Sequence, residues 1–162
     1  MTTIDKLGKE WRISFHFKPS NLVPKPKPKP EPESKPEPDG DIETNTTNLL
    51  LLTQIGNGEE HGDEILSINF EPKKGMIFDT SVGSEPVSVD IRDIKSKIEV
   101  NQIREAGKYL YKIFVGGKEF YSVENRNTLE LKNVSVYASS SQLPPTIGQI
   151  RGLQIETSNG GR

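Results

Sequence analysis

The constraint that most limits the fold of this chain is the alternation in residues 95–138, KSKIEVNQIREAGKYLYKIFVGGKEFYSVENRNTLELKNVSVYA. Ile98 and Val100 fall on one side of an extended chain, and Lys97, Glu99 and Asn101 fall on the other. Tyr109, Tyr111, Ile113 and Val115 repeat the pattern, and Val134 and Val136 repeat it again, with Phe120 and Val123 between. A period of two belongs to a half-buried strand, because successive side chains point to opposite faces of a sheet. Gly116-Gly117 suits a two-residue hairpin, whose central positions both need φ > 0. The passage therefore predicts four antiparallel strands in a row. It holds no catalytic constellation.

The same period appears earlier. Trp11, Ile13, Phe15 and Phe17 alternate with Arg12, Ser14, His16 and Lys18. Further strands are predicted at Thr47–Gln54, Ile65–Phe70, Met76–Thr80, Pro86–Ile91 and Gly148–Thr157, with Leu153 and Ile155 sharing a face. The Leu49–Leu52 block is continuous rather than alternating, which fits a central strand covered on both sides or a pairing site. No helix is predicted. About ten strands at this spacing predict an all-β protein, an antiparallel β-sandwich. The expected core is Trp11, Phe15, Ile68, Ile98, Val100, Ile113, Val136, Leu153 and Ile155. The 31% hydrophobic content is low. Half-buried strands account for it, since every second residue faces water.

Residues 24–41, PKPKPKPEPESKPEPDGD, interrupt the pattern. Seven prolines within Pro24–Pro38 remove ladder donors and favour polyproline II. The expected organisation is one sandwich domain over residues 1–157 with 24–41 as an exposed proline-rich insertion, and a tail at 158–162. The tract has P-x-P but no P-x-x-P spacing, and it reads as a solvated spacer. A net charge of −2 gives no electrostatic grip on nucleic acid. No secretory h-region opens the chain as written, and no apolar run reaches the length of a membrane span. There are no cysteines, which excludes disulfides, thiolate metal sites and a cysteine nucleophile.

The order of motifs resembles the concanavalin A-like lectin and laminin-G jelly rolls, in particular small animal extracellular domains of that type. The resemblance rests on Thr47-Asn48-Leu49-Leu50-Leu51-Leu52-Thr53, Gly62-Asp63-Glu64-Ile65 and Phe70-Glu71-Pro72-Lys73-Lys74-Gly75. It continues with Lys97-Ile98-Glu99-Val100, Tyr111-Lys112-Ile113-Phe114-Val115-Gly116-Gly117-Lys118, Val134-Ser135-Val136-Tyr137-Ala138 and Gly148-Gln149-Ile150-Arg151-Gly152-Leu153. It spans Glu10–Thr157 apart from the proline insertion. Domains of this kind carry a cysteine pair near Met76–Val89 that this chain lacks. The resemblance implies a jelly roll, an extracellular setting, and a non-enzymatic binding or adhesion module for a glycan or a protein. It also implies that calcium is a candidate ligand at the sandwich rim.

The loop Gly56–Glu64 is the candidate site. Asn57, Glu59, Glu60, Asp63 and Glu64 offer oxygen ligands of the kind calcium takes, and Gly56, Gly58 and Gly62 let the backbone turn. The spacing matches no EF-hand, and the same residues also read as a solvated acidic connection. Asp39-Gly40-Asp41-Ile42-Glu43 begins like a calcium loop and does not continue as one. His16 belongs to a polar strand face and His61 to the acidic loop, and nothing in the sequence brings them together. Sequons stand at Asn45, in the exposed tract, and at Asn133, a less accessible position at a strand start. Glycosidase chemistry on this scaffold would place two carboxylates across a sugar, and the E-x-D-x-E arrangement is absent. Ser139-Ser140-Ser141 lacks a nucleophile elbow and reads as loop. No enzyme is expected. The alternatives to a glycan- or protein-binding module are a structural or spacer protein-interaction domain and, third, a glycoside-active enzyme.

Proline denies residues 25–38 a place in a central strand, and their charge keeps them wet. Replacing Pro24–Asp39 by a short Gly-Ser loop is expected to change stability by no more than about 1–2 kcal/mol, because loop-closure entropy varies slowly with length. A collapse of the thermal transition on that replacement would show that the tract packs on the sandwich.

Overall fold

The computed structural model describes residues 2–19, 46–54, 64–71, 74–83, 85–90, 97–139, 143–146 and 148–158. The proline-rich tract and residues 56–63 of the acidic loop lie outside them. The elements are β1 (Thr2–Leu7), β2 (Trp11–Pro19), β3 (Thr47–Thr53), β4 (Glu64–Glu71), β5 (Gly75–Thr80), β6 (Val87–Val89), β7 (Lys97–Glu105), β8 (Lys108–Val115), β9 (Lys118–Glu124), β10 (Leu131–Tyr137) and β11 (Gly148–Thr157). No helix occurs among the described residues. One sheet runs β1-β10-β3-β4-β5-β6 and the other β11-β2-β7-β8-β9, and every pair of neighbours is antiparallel. The expected all-β antiparallel sandwich is the fold observed.

The core lies between the two sheets. Trp11, Ile13, Phe15 and Phe17 from β2 join Ile98, Val100, Tyr111 and Ile113 on one side and Leu50, Leu52, Ile68 and Phe78 on the other, in one cluster. Phe17 and Phe70 meet with ring centroids 6.2 Å apart. Gly116 and Gly117 have φ of 60° and 82°, as the hairpin between β8 and β9 requires. The leucine block is central and covered on both sides. It lies between β10 and β4. Leu49 is the extra residue of a bulge against Asn69 and Ile68, so Leu49 and Leu50 both reach the core. Leu51, 1% exposed, faces outward in register with Tyr137 and Ser67.

Where β10 leaves β3, Pro144-Pro145 takes over. Asn48 N donates to Pro144 O at 2.8 Å, and Thr146 N donates to Asn48 O at 2.9 Å. Proline has no amide hydrogen but keeps its carbonyl, so this short parallel bridge uses the one group it still offers. The Asn48 carboxamide donates to Ser67 Oγ at 3.0 Å and to Asn69 Oδ1 at 2.8 Å, which holds the bulged stretch in register.

Three departures from strict alternation share a cause. The first strand was not foreseen, because Ile4 and Leu7 are three residues apart. Opposite them Val134 and Leu131 are also three apart, and between these sits Asn133 with φ 54°. This left-handed residue resets the parity of β10, so both residues of each pair turn toward the core. Asn133 itself is exposed, contrary to the reading of its sequon as poorly accessible. The Lys6–Glu130 ion pair at 2.8 Å closes the end of β1, and the Lys6 ammonium holds the Glu130 carboxyl below its usual range.

Leu153 is the second departure and a correction: it was expected in the core and is 41% exposed. Gly152, at φ 61°, and Leu153 together face the single residue between His16 and Ser14. This bulge re-aims Leu153 to solvent, while Ile150 and Ile155 on either side still pack on the core. The third is Phe120, 45% exposed, the extra residue of a bulge in β9 between Glu119 and Tyr121. Both bulges interrupt edge strands of the five-stranded sheet, where a regular strand would offer a template to another chain.

Ile113 is fully buried and Leu153 is not. Ile113→Ala is expected to cost about 2–5 kcal/mol in denaturant unfolding, and Leu153→Ser less than about 0.5 kcal/mol. Equal losses would contradict the bulge.

Candidate functional site

Two places bring polar and aromatic groups together. The first is the outer face of the five-stranded sheet, where strand register assembles residues that are far apart in sequence. One row runs Glu156–Arg12–Asn101–Lys112–Ser122, and the next runs Gln154–Ser14–Glu99–Phe114–Glu119. Arg151, His16 and Lys97 begin a third. The charges interlock between rows. Arg12 reaches Glu99 at 3.2 Å and Glu156 at 3.6 Å, and Lys97 reaches the other oxygen of Glu99 at 3.3 Å. Lys112 meets Glu105 at 3.0 Å and Glu119 at 3.4 Å, and the hydrogen bond to Glu105 is the main reason its ammonium is held above the usual lysine range.

At the centre of this face Asn101 is 2% exposed. Its amide donates to Glu99 Oε1 at 3.0 Å, and its carbonyl oxygen has no partner among the described residues. Ser14 beside it is buried as well, and Phe114 is half-buried in the neighbouring row. His16 is exposed on the same face, as its position in the alternation predicts. The face thus combines an aromatic ring with a guanidinium, an ammonium, a carboxylate and an amide held in fixed positions.

The second place is a cavity of about 560 Å³ at one end of the sandwich. Trp11 and Tyr111 form its floor, edge to face, with centroids 6.0 Å apart. Ile65, Val82 and Leu131 add apolar wall, and Thr80, Gln102 and Asn125 add polar wall. Glu64, Glu124 and Arg126 lie at its charged margin, where Glu124 pairs with Lys108 at 3.2 Å and with Arg126 at 3.4 Å. Burial drives the Tyr111 phenol well above its usual range.

Of the five residues expected to hold calcium, Asn57, Glu59, Glu60 and Asp63 lie outside the described residues, as does His61. Glu64 opens β4, is half-buried and lines the cavity. No group of three or more histidine, aspartate or glutamate side chains able to hold a metal occurs among the described residues. The sheet face escaped the sequence reading because its residues alternate with core residues and look, one strand at a time, like an ordinary solvated side. The signal available in the sequence was the aromatic Phe114 at an outward position.

No protein-family model matches the sequence, and no curated protein matches it. Solved structures do resemble it in fold. A native heptameric SAP-like pentraxin from Limulus polyphemus superposes with a TM-score of 0.54 at 11% identity, over 96% of this chain and 66% of that one. The chain thus spans just under two thirds of the pentraxin's length. Sheep galectin-11 in complex with glycerol matches with a TM-score of 0.43 at 13% identity, over 96% of this chain and 93% of that one. The likeness is one of fold, an antiparallel β-sandwich of the jelly-roll type.

Proposed function

We propose that this protein is a non-enzymatic, lectin-like binding module that recognises a glycan on the outer face of its five-stranded sheet. The observation that carries the reading is the strand register that sets Phe114 beside Arg12, Glu99 and Lys112 on one ordered polar face. A sugar offers hydroxyl groups to such charged side chains and an apolar C–H face to an aromatic ring. The interlocked ion pairs hold Arg12, Glu99 and Lys112 in place before binding, so little side-chain entropy is lost on contact. The jelly-roll likeness to a pentraxin is in keeping with this reading.

The reading is non-enzymatic for a geometric reason. Glu64 and Glu124 both line the end cavity, but Glu124 is engaged by Lys108 and Arg126 rather than set free across a glycosidic bond. Calcium assistance through Asn57, Glu59, Glu60, Asp63 and Glu64, and an extracellular setting, belong to the same proposal. Four clustered acidic side chains repel one another, and a divalent cation would relieve that repulsion.

A glycan array probed with and without calcium tests the function. A defined class of glycan is expected to bind, and Phe114→Ala is expected to weaken it about tenfold, or roughly 1.4 kcal/mol, with the melting temperature little changed. No binding under either condition would overturn the glycan reading and leave the spacer or protein-interaction domain in its place. Millimolar calcium is expected to raise the melting temperature by mass action, and Asp63→Asn is expected to abolish that rise without unfolding the protein. An unmoved melting curve would remove calcium and leave the glycan proposal standing.

A further inference from the structure

The outer face of the five-stranded sheet is not uniform in charge. In its first two rows each basic side chain meets carboxylates: Arg12 pairs with Glu99 and Glu156, and Lys112 with Glu105 and Glu119. The third row differs. Arg151, His16 and Lys97 stand opposite one another on β11, β2 and β7. Gly116, whose amide donates to Lys97 O at 2.8 Å, ends the row without a side chain. Gln149 and Lys18 form a fourth row. Neither row holds an acidic residue, and all five side chains are exposed. Lys97 has only the Glu99 carboxylate, which it shares with Arg12. The Arg151 guanidinium donates to the neutral Gln149 Oε1 at 3.1 Å, and neither Arg151 nor Lys18 has an ion pair among the described residues.

Side chains directly opposite on neighbouring strands have Cβ atoms about 4.5–5.5 Å apart, and like charges there repel. An anion laid over these two rows relieves that repulsion and meets a guanidinium fork, an imidazole and two ammonium groups. Phe114 lies one row away, opposite Glu99 and diagonal to Lys97, a separation of about 7–8 Å. A sugar ring resting on Phe114 carries its substituents toward that end, and the long lysine and arginine side chains cover the remaining distance. We propose that this face selects acidic glycans: the ring rests on Phe114, and a sulfate or carboxylate on the sugar docks on the basic end formed by Arg151, His16, Lys97 and Lys18. The inference rests on the glycan reading and narrows it. A nucleic acid fits less well, because it needs a basic field along its whole track, and the first two rows alternate in sign.

Three polymers on one frame test the acid group: dextran, carboxymethyl-dextran and dextran sulfate. Poly-glutamate serves as an acidic polymer without a sugar ring. The two acid forms are expected to bind about tenfold more tightly than dextran or poly-glutamate, and to shift the amide resonances of His16, Lys18, Lys97 and Arg151. Arg151→Gln is expected to weaken the acid forms about two- to fivefold, the worth of an exposed charge pair, with the melting temperature unmoved. Lys132→Gln removes the same charge from an exposed position on the other sheet and is expected to change nothing. The inference is overturned if neither acid form binds, if dextran or poly-glutamate binds as tightly as they do, or if Lys132→Gln weakens them as much as Arg151→Gln. Neutral glycans that bind on the array and are lost with Phe114→Ala would then keep the face as a glycan site without acid selectivity. An array on which no glycan binds defeats the glycan reading itself.

Discussion

Everything in this molecule depends on keeping one face of each sheet dry. β2 carries the largest share of that task, since Trp11, Ile13, Phe15 and Phe17 all enter the common cluster. Its neighbours β7 and β11 must then hold registers that place Ile98, Val100, Ile150 and Ile155 on the same side. A slip of one residue would exchange this apolar row for Arg12, Ser14 and His16, so register is strongly specified. The polar outer face is the other half of the same constraint. Because β2 cannot slide, Arg12 always meets Glu99 and Glu156, and Asn101 always lies between Arg12 and Lys112.

The salt bridges on that face are poor candidates for a stabilising role. Exposed ion pairs contribute about 0–1 kcal/mol each, and most of the charged groups here keep substantial access to water. Their effect is geometric: they fix the directions of long side chains around Asn101. The cavity at the sandwich end is organised the opposite way. There the hydrogen bonds of Gln102, Asn125 and Thr80 close on the protein itself.

The alternating segments were legible in the sequence because period two needs no knowledge of the partner strand. Trp11 to Phe17, Ile98 to Val100 and Tyr109 to Val115 lie as alternation placed them. The failures occur where a single residue resets the parity. Asn133 hid β1 behind a spacing of three, and Gly152 turned Leu153 outward. Bulges depend on how two strands meet, which one strand's sequence does not state. The candidate site was less legible for a related reason. Asn57, Glu59, Glu60 and Asp63 stand out by local composition, whereas the Arg12, Asn101, Lys112 and Phe114 grouping exists only through pairing of β2, β7 and β8. Tyr111 reads as a core residue and is one.

The pairing of the opening strands has a consequence for biosynthesis. Among the described residues β1 pairs with β10, and β2 lies between β7 and β11, so each of the first two strands is completed by one of the last two. Within this domain β1 and β2 are made before nearly all of the strands that complete them. During that interval β2 lacks one of its two neighbours and β1 its partner. Contacts of such long sequence separation slow folding, and exposed apolar strands invite association. The apolar row of β2 is therefore the part of this domain whose cover comes latest, because β11 closes its second edge.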